Sequence, residues 1–374
     1  MEYRKWYDKE IKTSLLGFGA MRFKTIDGEI DEEKAFALID YAYRHGVNYF
    51  DTAMPYTDGK NEPFLGKALS RYPRDSFYLA TKMSFGLIEN RDKAMTIIDK
   101  QLANLQTDYI DMYLLHALNK NLIKKIEEWD AFSLLEKWKR EGKIRNIGFS
   151  FHDDYETFAK ILDMYDWDFC QIQLNYMDTD FQQGIRGYYD LERRQIPVVI
   201  MEPLKGGKLA RFRSDIERVF KECGDESVAS WAFRWVGSLP GVKVILSGMN
   251  EMDQLVDNIN TFSDFKPITE EENEKIEEVK NALLAIKAVD CTSCKYCLPC
   301  AVNIDIPRFF HIFNVYSMYE DLGDVKWQFN HLKKNSAMID ECIECGKCAE
   351  ACPQRIDIPG QLKKLADNMS FLFK

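Results

Sequence analysis

The chain has 374 residues, of which 46% are hydrophobic and 29% charged, a composition typical of a globular protein with room for two domains. A formal net charge of −10 argues against nucleic acid and anionic membranes as main partners, because both require a basic face. The N-terminus MEYRKWYDKE lacks the apolar stretch of a secretion signal, and no run of about 18 apolar residues occurs, so we expect a cytoplasmic protein.

Short runs rich in β-forming residues recur along residues 1–285, and stretches with helical periodicity separate them. The eight runs are SLLGFGAM, VNYFDTA, FYLATKM, YIDMYLLH, IRNIGFSF, DFCQIQLNY, PVVIME and VKVILSGM. The helical stretches include DEEKAFALIDYAYRHG, RDKAMTIIDKQLANL, AFSLLEKWKREGK and DDYETFAKILDMY, and an Asp at the start of several can cap the first turn. Strict alternation of strand and helix predicts a parallel sheet with right-handed crossovers.

Eight such repeats favour a closed (β/α)8 TIM barrel over an open doubly wound sheet, and no Gly-x-Gly-x-x-Gly follows the first strand. Chemistry in such barrels lies at the carboxyl ends of the strands. The second strand ends in FDTAMPYTDG, which supplies Asp51 and, on the loop, Tyr56. The third ends in ATK with Lys82, and the fourth in LLH with His116. We expect these four side chains to converge on one mouth.

The four residue types suit the reduction of a carbonyl group. A tyrosine has an ordinary pKa near 10, and we expect the Lys82 ammonium to lower the pKa of Tyr56. Asp51 can keep Lys82 charged and oriented, and His116 can donate a hydrogen bond to the substrate oxygen. A cofactor would then supply hydride to carbon while Tyr56 supplies the proton to oxygen.

Each of the four residues also has a purely structural interpretation. Asp51 can cap a loop, Lys82 can be a solvated charge, Tyr56 can be half-buried packing, and His116 can be a core histidine. Their coincidence at three neighbouring strand ends favours the functional interpretation.

Cysteines separate the C-terminal part of the chain from the rest. Eight of the ten lie after residue 290 in two sets of four, and the polar stretch TEEENEKIEEVKNALL precedes them. We therefore predict two domains, a barrel over residues 1–285 and a cysteine-rich domain over residues 286–374. In the latter, RFFHIFNVYSMYEDLGDVKWQFNHL has helical spacing, so a small, mainly helical domain is expected.

The two cysteine runs predict iron–sulfur clusters. They are CTSCKYCLPC, with Cys291, Cys294, Cys297 and Cys300, and CIECGKCAEACP, with Cys342, Cys345, Cys348 and Cys352. Three thiolates at x2 spacing suit three irons of a [4Fe–4S] cube, and a fourth before proline commonly binds the other cluster. The first run departs from this pattern, since its fourth cysteine follows after only two residues and Ala301 replaces proline. We expect two [4Fe–4S] clusters; one cluster, or zinc, is the alternative.

The strings FDTAMPYTDG, ATK, YIDMYLLHAL and IRNIGFSFH resemble, in order and spacing, the signature segments of the aldo/keto reductase family over residues 10–265. This resemblance implies that Asp51, Tyr56, Lys82 and His116 form the family's catalytic tetrad, with Tyr56 as the acid. The whole chain is similar to the subgroup with a C-terminal ferredoxin-like domain that carries two [4Fe–4S] motifs.

The resemblance also implies an NAD(P)H site. Ser150 and Gln171 align with residues that hold the nicotinamide carboxamide, but Phe151 replaces the usual Asn and Glu202 replaces the aromatic residue that stacks on the ring. The other expected nucleotide contacts are Leu204, Gly206, Gly207, Lys208, Gly248, Asp257 and Asn258, with Lys205 as a further candidate for the pyrophosphate. Segment 249–254 has no Lys or Arg to pair a 2′-phosphate.

Together these features predict an aldo/keto-reductase-type oxidoreductase that acts on a small molecule and relays electrons through its clusters, with a protein electron carrier such as ferredoxin as a candidate partner. A nicotinamide moves two electrons as hydride and a cluster moves one, so a flavin at the barrel mouth is an alternative cofactor. A non-catalytic electron-transfer subunit is the alternative of a different class.

Overall fold

A computed structural model describes residues 1–372 of the chain. Eight parallel strands pair in sequence order and close into a barrel, in which the sixth strand pairs with the fifth and the eighth with the first. The barrel strands are β1 (Leu16–Gly19), β2 (Tyr49–Asp51), β3 (Tyr78–Met83), β4 (Ile110–Leu118), β5 (Ile144–Phe151), β6 (Phe169–Gln173), β7 (Val198–Met201) and β8 (Val242–Ser247). The predicted TIM barrel is confirmed.

Helices alternate with the strands along this part of the chain. They are α1 (Glu32–Arg44), α2 (Asn61–Leu69), α3 (Arg91–Leu105), α4 (Lys120–Glu128), α5 (Ala131–Arg140), α6 (Tyr155–Leu162), α7 (Gly184–Arg193), α8 (Ser214–Lys221), α9 (Val228–Gly237), α10 (Met252–Ser263) and α11 (Glu270–Ala285). Asp31, Asn90 and Asp154 cap α1, α3 and α6 by accepting a hydrogen bond from a backbone N–H in the first turn.

Side chains alternate between two faces along the barrel strands, and one set fills the interior. This inner set includes Tyr49, Ala80, Met112, Leu114, Phe169, Val199 and Val244, all buried. On β5 the corresponding residue is Gly148, where a Cβ atom would lie 2.6 Å from the Phe169 ring. Because alternate residues of a strand share a face, the next inward positions toward the carboxyl ends are Asp51, Lys82, His116, Ser150 and Gln171.

A hairpin covers the amino-terminal end of the barrel. Tyr3–Lys5 pairs antiparallel with Lys12–Ser14, and Trp6 between them is fully buried with its ring centroid 5.7 Å from that of Phe169. Since Phe169 opens β6, this packing closes the end opposite the carboxyl ends of the strands.

Several shorter elements complete the described chain. A second hairpin pairs Thr25–Ile26 with Glu29–Ile30 before α1. The 3-10 turns are Ala20–Arg22, Tyr56–Gly59, Arg74–Ser76, Phe85–Leu87, Lys205–Gly207, Ile339–Glu341 and Ser370–Leu372. Within residues 1–372, no helix is both long and apolar enough to cross a membrane.

The chain forms two compact units, and α8 and most of α11 group with the second of them. The first unit comprises Met1–Ala210 and Glu226–Asn273, and the second comprises Arg211–Asp225 and the chain from Glu274 onward. The sequence boundary at residue 285 stays a prediction.

The cysteine-rich region is helical, as predicted. It contains α12 (Ile306–Tyr319), α13 (Leu322–Leu332), the short α14 (Lys347–Glu350) and α15 (Ile358–Asn368). Asp305, Asp321 and Asp357 cap the three longer helices. A core of its own holds these helices together, formed by Ile306, Phe309, Phe310, Val325, Phe329, Leu362 and Leu365.

Candidate active site and iron–sulfur ligands

Lys82 is the centre of a buried polar cluster at the carboxyl ends of β2 and β3. Its Nζ atom donates to both carboxylate oxygens of Asp51, at 2.7 and 2.8 Å, and to the carbonyl of Thr52 at 2.8 Å. A longer contact of 3.4 Å reaches the hydroxyl of Tyr56. Burial disfavours the ammonium, but Asp51 and Tyr56 together outweigh it and raise the pKa of Lys82. Lys82 is therefore charged at neutral pH and aimed at the phenol.

Tyr56 opens a tight turn in which three consecutive residues adopt left-handed backbone conformations. Thr57 has φ 49°, Asp58 φ 52° and Gly59 φ 85°. Such conformations are costly for residues other than glycine and persist only where their surroundings hold them. The turn carries the Tyr56 hydroxyl over Lys82.

The pKa of Tyr56 is raised and not lowered, so the predicted direction of its shift is wrong. Lys82 does act to lower this pKa, but burial is the larger effect and raises it, with Asp51 acting in the same upward direction. The phenol therefore keeps its proton throughout the neutral range.

His116 faces Tyr56 from β4. The two ring centroids are 6.2 Å apart with the rings nearly perpendicular, and the His116 Nδ1 lies 2.6 Å from the Oγ of Ser84. Burial, the charge of Lys82 and the proximity of His152 lower the pKa of His116 to about 3. At neutral pH the imidazole is therefore uncharged.

A local irregularity of β4 positions this histidine. Ala117, directly after it, has φ 55°, and the register with β5 shifts between Leu115 and Leu118. The N–H of Ala117 donates to the Oγ of Ser150 at 2.7 Å. Such bulges re-aim side chains next to active sites, and this one also ties His116 to the neighbouring strand.

Asn61 at the start of α2 supports the cluster, and sequence reasoning missed it. It is fully buried; its Oδ1 accepts from Thr52 at 2.6 Å and its Nδ2 donates to the Ala20 carbonyl at 2.8 Å. A weaker contact of 3.5 Å reaches Thr57, next to Tyr56. Asn61 thereby joins the ends of β1 and β2 to the tyrosine turn.

Glu62 and Gln101 support β3 from the outer side. The buried Glu62 carboxylate accepts from Thr81 at 2.7 Å and from Gln101 at 2.8 Å, while Gln101 also donates to the Lys82 carbonyl at 3.1 Å. The available sequence signal was two adjacent polar residues, Asn61 and Glu62, where the amphipathic pattern of α2 begins.

Ser150 and Gln171 lie opposite each other on β5 and β6. The Oε1 of Gln171 is buried and has no hydrogen-bond partner within residues 1–372, while the Ser150 oxygen accepts from Ala117 and keeps its own hydrogen free to donate. An unpaired acceptor beside a hydroxyl donor fits a carboxamide group. Phe151 is different: it is fully buried and its ring meets Phe158 edge to face at 5.1 Å.

The loop after β7 carries the expected pyrophosphate contacts. Gly206 and Gly207 have φ 69° and 97°, conformations that favour glycine and bring backbone N–H groups close to a ligand. Leu204 and Lys208 flank this turn. Lys205, the further candidate, is in an ion pair with Asp178.

Glu202, at the position expected to support a nicotinamide ring, has φ 55°, and its carboxylate lies 3.5 Å from the guanidinium of Arg22. The side chain of Arg22 also packs over Gly248, where a Cβ atom would lie 3.1 Å from it. An ion pair therefore occupies the place of the expected aromatic platform.

The remaining nucleotide candidates lie on α10. Asp257 accepts a hydrogen bond from Ser227 at 2.7 Å, and the buried Asn258 donates to Ser247 at 3.0 Å. Both side chains thus have partners within the barrel. Glu251, at the start of the helix, pairs with Lys24.

The eight clustered cysteines line two cavities. Cys291, Cys294, Cys297 and Cys352 line the first. Cys300, Cys342, Cys345 and Cys348 line the second, which Cys297 also borders. The fourth cysteine of each run therefore lies with the other run, as in two-cluster ferredoxins. This grouping includes Cys300, whose spacing departs from the usual pattern.

The donor set fits a multi-iron cluster. In residues 1–372, no three His, Cys, Asp or Glu side chains are arranged to hold a single metal ion. Four sulfurs spread around a cavity instead suit a cube in which each thiolate binds a separate iron. Cys170 is buried in β6 and Cys223 is exposed, both outside these cavities.

Comparisons with known proteins agree with this organisation. The model of the aldo/keto reductase family matches residues 15–281, and that of the 4Fe-4S dicluster domain matches residues 290–357. Such a dicluster domain implies two clusters.

Individual relatives cover mainly the barrel. L-galactose dehydrogenase of Arabidopsis thaliana is 33% identical over 153 residues, 40% of this chain, and the match spans only 48% of that enzyme. The uncharacterized oxidoreductase YqkF of Bacillus subtilis is 28% identical over 310 residues, covering 73% of this chain and 94% of its own length.

Among solved structures, an aldo-keto reductase of Bacillus halodurans in its holo form has a TM-score of 0.63 and 27% identity, covering 75% of this chain and 96% of its own. An aldo-keto reductase of Klebsiella pneumoniae in complex with NADPH has a TM-score of 0.58 and 24% identity, covering 72% and 92%. The latter likeness concerns the fold alone. With the family model matched over most of its length, this chain belongs to the aldo/keto reductase family and is an oxidoreductase of that type with a 4Fe-4S dicluster domain.

Proposed function

We propose that the barrel reduces the carbonyl group of a small molecule, with Tyr56 as the proton donor and a nicotinamide as the hydride donor. The observation that carries this proposal is the buried Lys82 ammonium, 3.4 Å from the Tyr56 hydroxyl and fixed by Asp51. The same cluster faces His116 across the mouth.

Tyr56 releases its proton to the substrate oxygen as that oxygen gains negative charge. The phenolate left behind lies next to a positive charge that cannot leave, since Asp51 and the Thr52 carbonyl hold Lys82 in place. A fixed charge needs no reorganisation during the reaction, which is the main advantage of a preorganised site.

His116 orients the substrate oxygen. Its ring is neutral at physiological pH, so only one nitrogen carries a proton. If the Ser84 hydroxyl donates to Nδ1, the Nε2–H is left to donate to the carbonyl oxygen. This donor polarises the carbonyl without competing with Tyr56 for the role of acid.

Ser150 and Gln171 are the residues that we propose hold the nicotinamide carboxamide, and the turn at Gly206 and Gly207 lies where the pyrophosphate would approach, flanked by Leu204 and Lys208. Gly248, Asp257 and Asn258 stay predicted contacts for the rest of the nucleotide. When bound, a reduced nicotinamide supplies hydride to the carbonyl carbon.

We further propose that the dicluster domain exchanges electrons with a small protein carrier such as ferredoxin and that these electrons are linked to the reaction in the barrel. The eight cysteines that line two cavities support the two clusters. Assembled clusters of this kind transfer single electrons.

An anaerobic titration tests the link between the two halves. Protein with both clusters reconstituted is titrated with NADH and with NADPH while the broad absorbance near 400 nm and the cluster EPR signal are recorded. Reduction of the clusters by either nucleotide supports a continuous electron route. Reduction by dithionite alone would reject the nucleotide as the electron source for the clusters.

A flavin at the barrel mouth is the second candidate, favoured by the Glu202–Arg22 pair where a nicotinamide platform is expected. A flavin would also connect two-electron and one-electron chemistry. Purified protein with intact clusters, no flavin absorbance and tight NAD(P)H binding would exclude it.

A non-catalytic electron-transfer role makes the opposite prediction for the barrel. If the barrel is not catalytic, Tyr56→Phe leaves electron transfer to a carrier unchanged. If the barrel is catalytic, the same variant loses turnover while its clusters remain intact.

A further inference from the structure

The outer side of α13 carries an exposed tryptophan. All seven tryptophans of the chain lie within residues 1–372; six of them are buried or half-buried, and Trp327 alone is exposed, at 66%. Its ring stacks on that of His331, one turn later, with the two centroids 6.0 Å apart. A single exposed hydrophobic residue is common on protein surfaces, so the neighbours of Trp327 decide whether this side of the helix has a function.

Three lysines lie on the same side of the helix as Trp327. Lys326, Lys333 and Lys334 are exposed. They are four, seven or eight residues from one another or from Trp327 and His331, and residues so spaced share one face of an α-helix. Within residues 1–372, none of the three lysines is in an ion pair. These five residues form what we call the basic face of α13.

The charge of this region differs from that of the chain as a whole. Residues 325–339 include the three lysines and no Asp or Glu, although the chain has a net charge of −10. Asp321 and Asp324 lie at the other end of the helix, and acidic residues resume at Asp340. Lysines in the last turns of a helix also stabilise its dipole, but that role does not account for an exposed tryptophan among them. The basic face is complementary to an acidic protein surface.

The C-terminal end of α13 adjoins the second of the two cysteine-lined cavities. The N–H of Ala337 donates to the Asn303 carbonyl at 3.1 Å, and that of Asn303 donates to the Cys300 carbonyl at 3.0 Å. Further along the chain, the N–H of Cys342 donates to the Ile339 carbonyl at 3.2 Å. The basic face therefore ends within a few residues of segments that carry two cysteines of this cavity.

We propose that the basic face of α13 is the docking surface for an acidic one-electron carrier of the iron–sulfur class, which binds next to the second cysteine-lined cavity. This inference rests on the proposed exchange of electrons with a protein carrier, and it specifies the charge of the carrier and the surface that binds it. The exchange moves one electron between the carrier and this chain, so one is oxidised as the other is reduced, and no bond forms or breaks.

Two kinds of interaction favour such a complex. Surface lysines without carboxylate partners attract an acidic protein over a distance, and salt weakens this attraction. Trp327 supplies an apolar centre for the contact, since tryptophans are enriched among the residues that contribute most to protein–protein binding. Complexes between redox proteins are at the small end of interface sizes, so one helical face offers enough surface.

Binding to carriers of opposite charge tests the docking surface. Calorimetry under anaerobic conditions gives the Kd of the full-length protein, with its clusters assembled, for two probes. One probe is a purified bacterial ferredoxin of net negative charge, and the other is cytochrome c, a basic one-electron carrier. The same measurements are made on Lys326→Glu/Lys334→Glu and on Trp327→Ala, at low and at high salt.

Matched controls separate the basic face from general effects of charge and of aromatic residues. Lys93→Glu/Lys100→Glu, at exposed positions of α3, changes the net charge by the same amount, and Tyr189→Ala removes another exposed aromatic ring. We expect wild-type protein to bind ferredoxin more tightly than cytochrome c, with a Kd that rises with salt. Each α13 variant should raise this Kd by about 10- to 100-fold, and each control should change it by less than about twofold.

Several results would overturn the docking surface. They are tighter binding of cytochrome c, no binding of the ferredoxin, and equal weakening by the α3 variant. Binding of phosphatidylserine vesicles that depends on the basic face, in the absence of ferredoxin binding, would assign the face to a membrane. Self-association in analytical ultracentrifugation with the same dependence would assign it to a second copy of the chain. Either assignment also rejects the proposal.

Stopped-flow reduction separates this inference from the proposed electron exchange. Ferredoxin reduced beforehand is mixed with each protein, and the absorbance near 400 nm is followed. If ferredoxin binding depends on the basic face but no electron is transferred, the docking surface stands and the proposed exchange fails. If electrons are transferred and neither the rate nor the Kd changes in the α13 variants, the exchange stands and the docking surface is rejected.

Discussion

Lys82 and Asp51 form an ion pair that is closed to solvent: the Nζ lies 2.7 Å from Oδ1, and the two side chains are 0% and 3% exposed. Charges removed from water need strong compensation, and here Lys82 donates to both carboxylate oxygens of Asp51 and to the Thr52 carbonyl. The stability of the fold therefore depends on this pair, and the same pair supplies the positive charge beside Tyr56.

Breaking this pair on one side is expected to destabilise the fold. Asp51→Asn leaves the Lys82 charge buried without its partner, so the free energy of unfolding should fall by about 3–5 kcal/mol in urea titrations. Adding Lys82→Met removes the unpaired charge and should restore most of the lost free energy of unfolding. Neither the single nor the double variant should be active. Glu128→Gln, which breaks the exposed pair with Lys124, should cost less than about 0.5 kcal/mol.

Tyr56→Phe is expected to lower kcat by about 100- to 10,000-fold while iron content and thermal stability remain those of the wild-type protein. The pKa of Tyr56 is raised by burial, so the proton donor stays loaded through the neutral range. The rate of the wild-type enzyme should therefore fall only in strongly alkaline solution. A fall that begins below pH 9 would contradict this assignment.

His116 should make stability depend on pH. The unfolded chain takes up a proton near pH 6.5, whereas the folded protein keeps His116 neutral down to about pH 3. The unfolded state thus binds more protons as the pH falls, and the folded state loses stability from pH 6.5 downward. Between pH 7 and 5 we expect wild-type protein to lose roughly 2 kcal/mol more than His116→Gln, measured by urea unfolding. Parallel losses in the two proteins would reject the low pKa.

Asn61 acts on Tyr56 through the turn that it supports. Asn61→Leu keeps the volume but removes the bonds to Thr52 and Ala20. We expect kcat to fall about 10- to 100-fold with KM little changed, together with a stability loss of about 1–3 kcal/mol. Asn273→Leu on the exposed surface of α11 controls for the substitution itself. A loss of stability with unchanged kcat would assign Asn61 a purely structural role.

Nucleotide preference should follow the charge at the start of α10. In the proposed binding mode the 2′-phosphate of NADPH would approach Glu251 and Asp253, and Lys24 is already paired with Glu251, so KM for NADH is expected to be lower than for NADPH. Asp253→Arg should improve kcat/KM for NADPH by about tenfold. Asp264→Arg, at the opposite end of the same helix, should leave the ratio unchanged. A wild-type preference for NADPH would contradict the prediction.

The crossed grouping of the cysteines can be tested by counting iron. Cys300 and Cys345 line the same cavity. Cys300→Ala and Cys345→Ala should therefore each reduce the iron content from about eight to about four atoms per chain. The double variant should lose no more iron than either single variant. Cys300→Ala combined with Cys352→Ala should remove nearly all of it, because Cys352 lines the other cavity. Cys223→Ala should retain all eight. Loss of all iron in the Cys300/Cys345 double variant would overturn the grouping.

The barrel and the strand ends that carry its polar residues could be predicted from the sequence. Alternation of strand and helix is a local property of periodicity, and Asp51, Lys82 and His116 could be found because strand ends can be read from the chain. The cluster ligands could be predicted in the same way, because cysteines separated by two residues match the local geometry of a [4Fe–4S] cube.

Contacts between residues that are far apart in the chain became visible only in the folded structure. The support of Tyr56 by Asn61 and the exchange of Cys300 with Cys352 both join residues from different elements. Likewise, the direction of the pKa shift of Tyr56 follows from burial, which outweighs the neighbouring ammonium. Periodicity and spacing predict the strand or helix on which a side chain lies and the face from which it projects. Desolvation and hydrogen bonding depend on all the groups that the fold packs around that side chain.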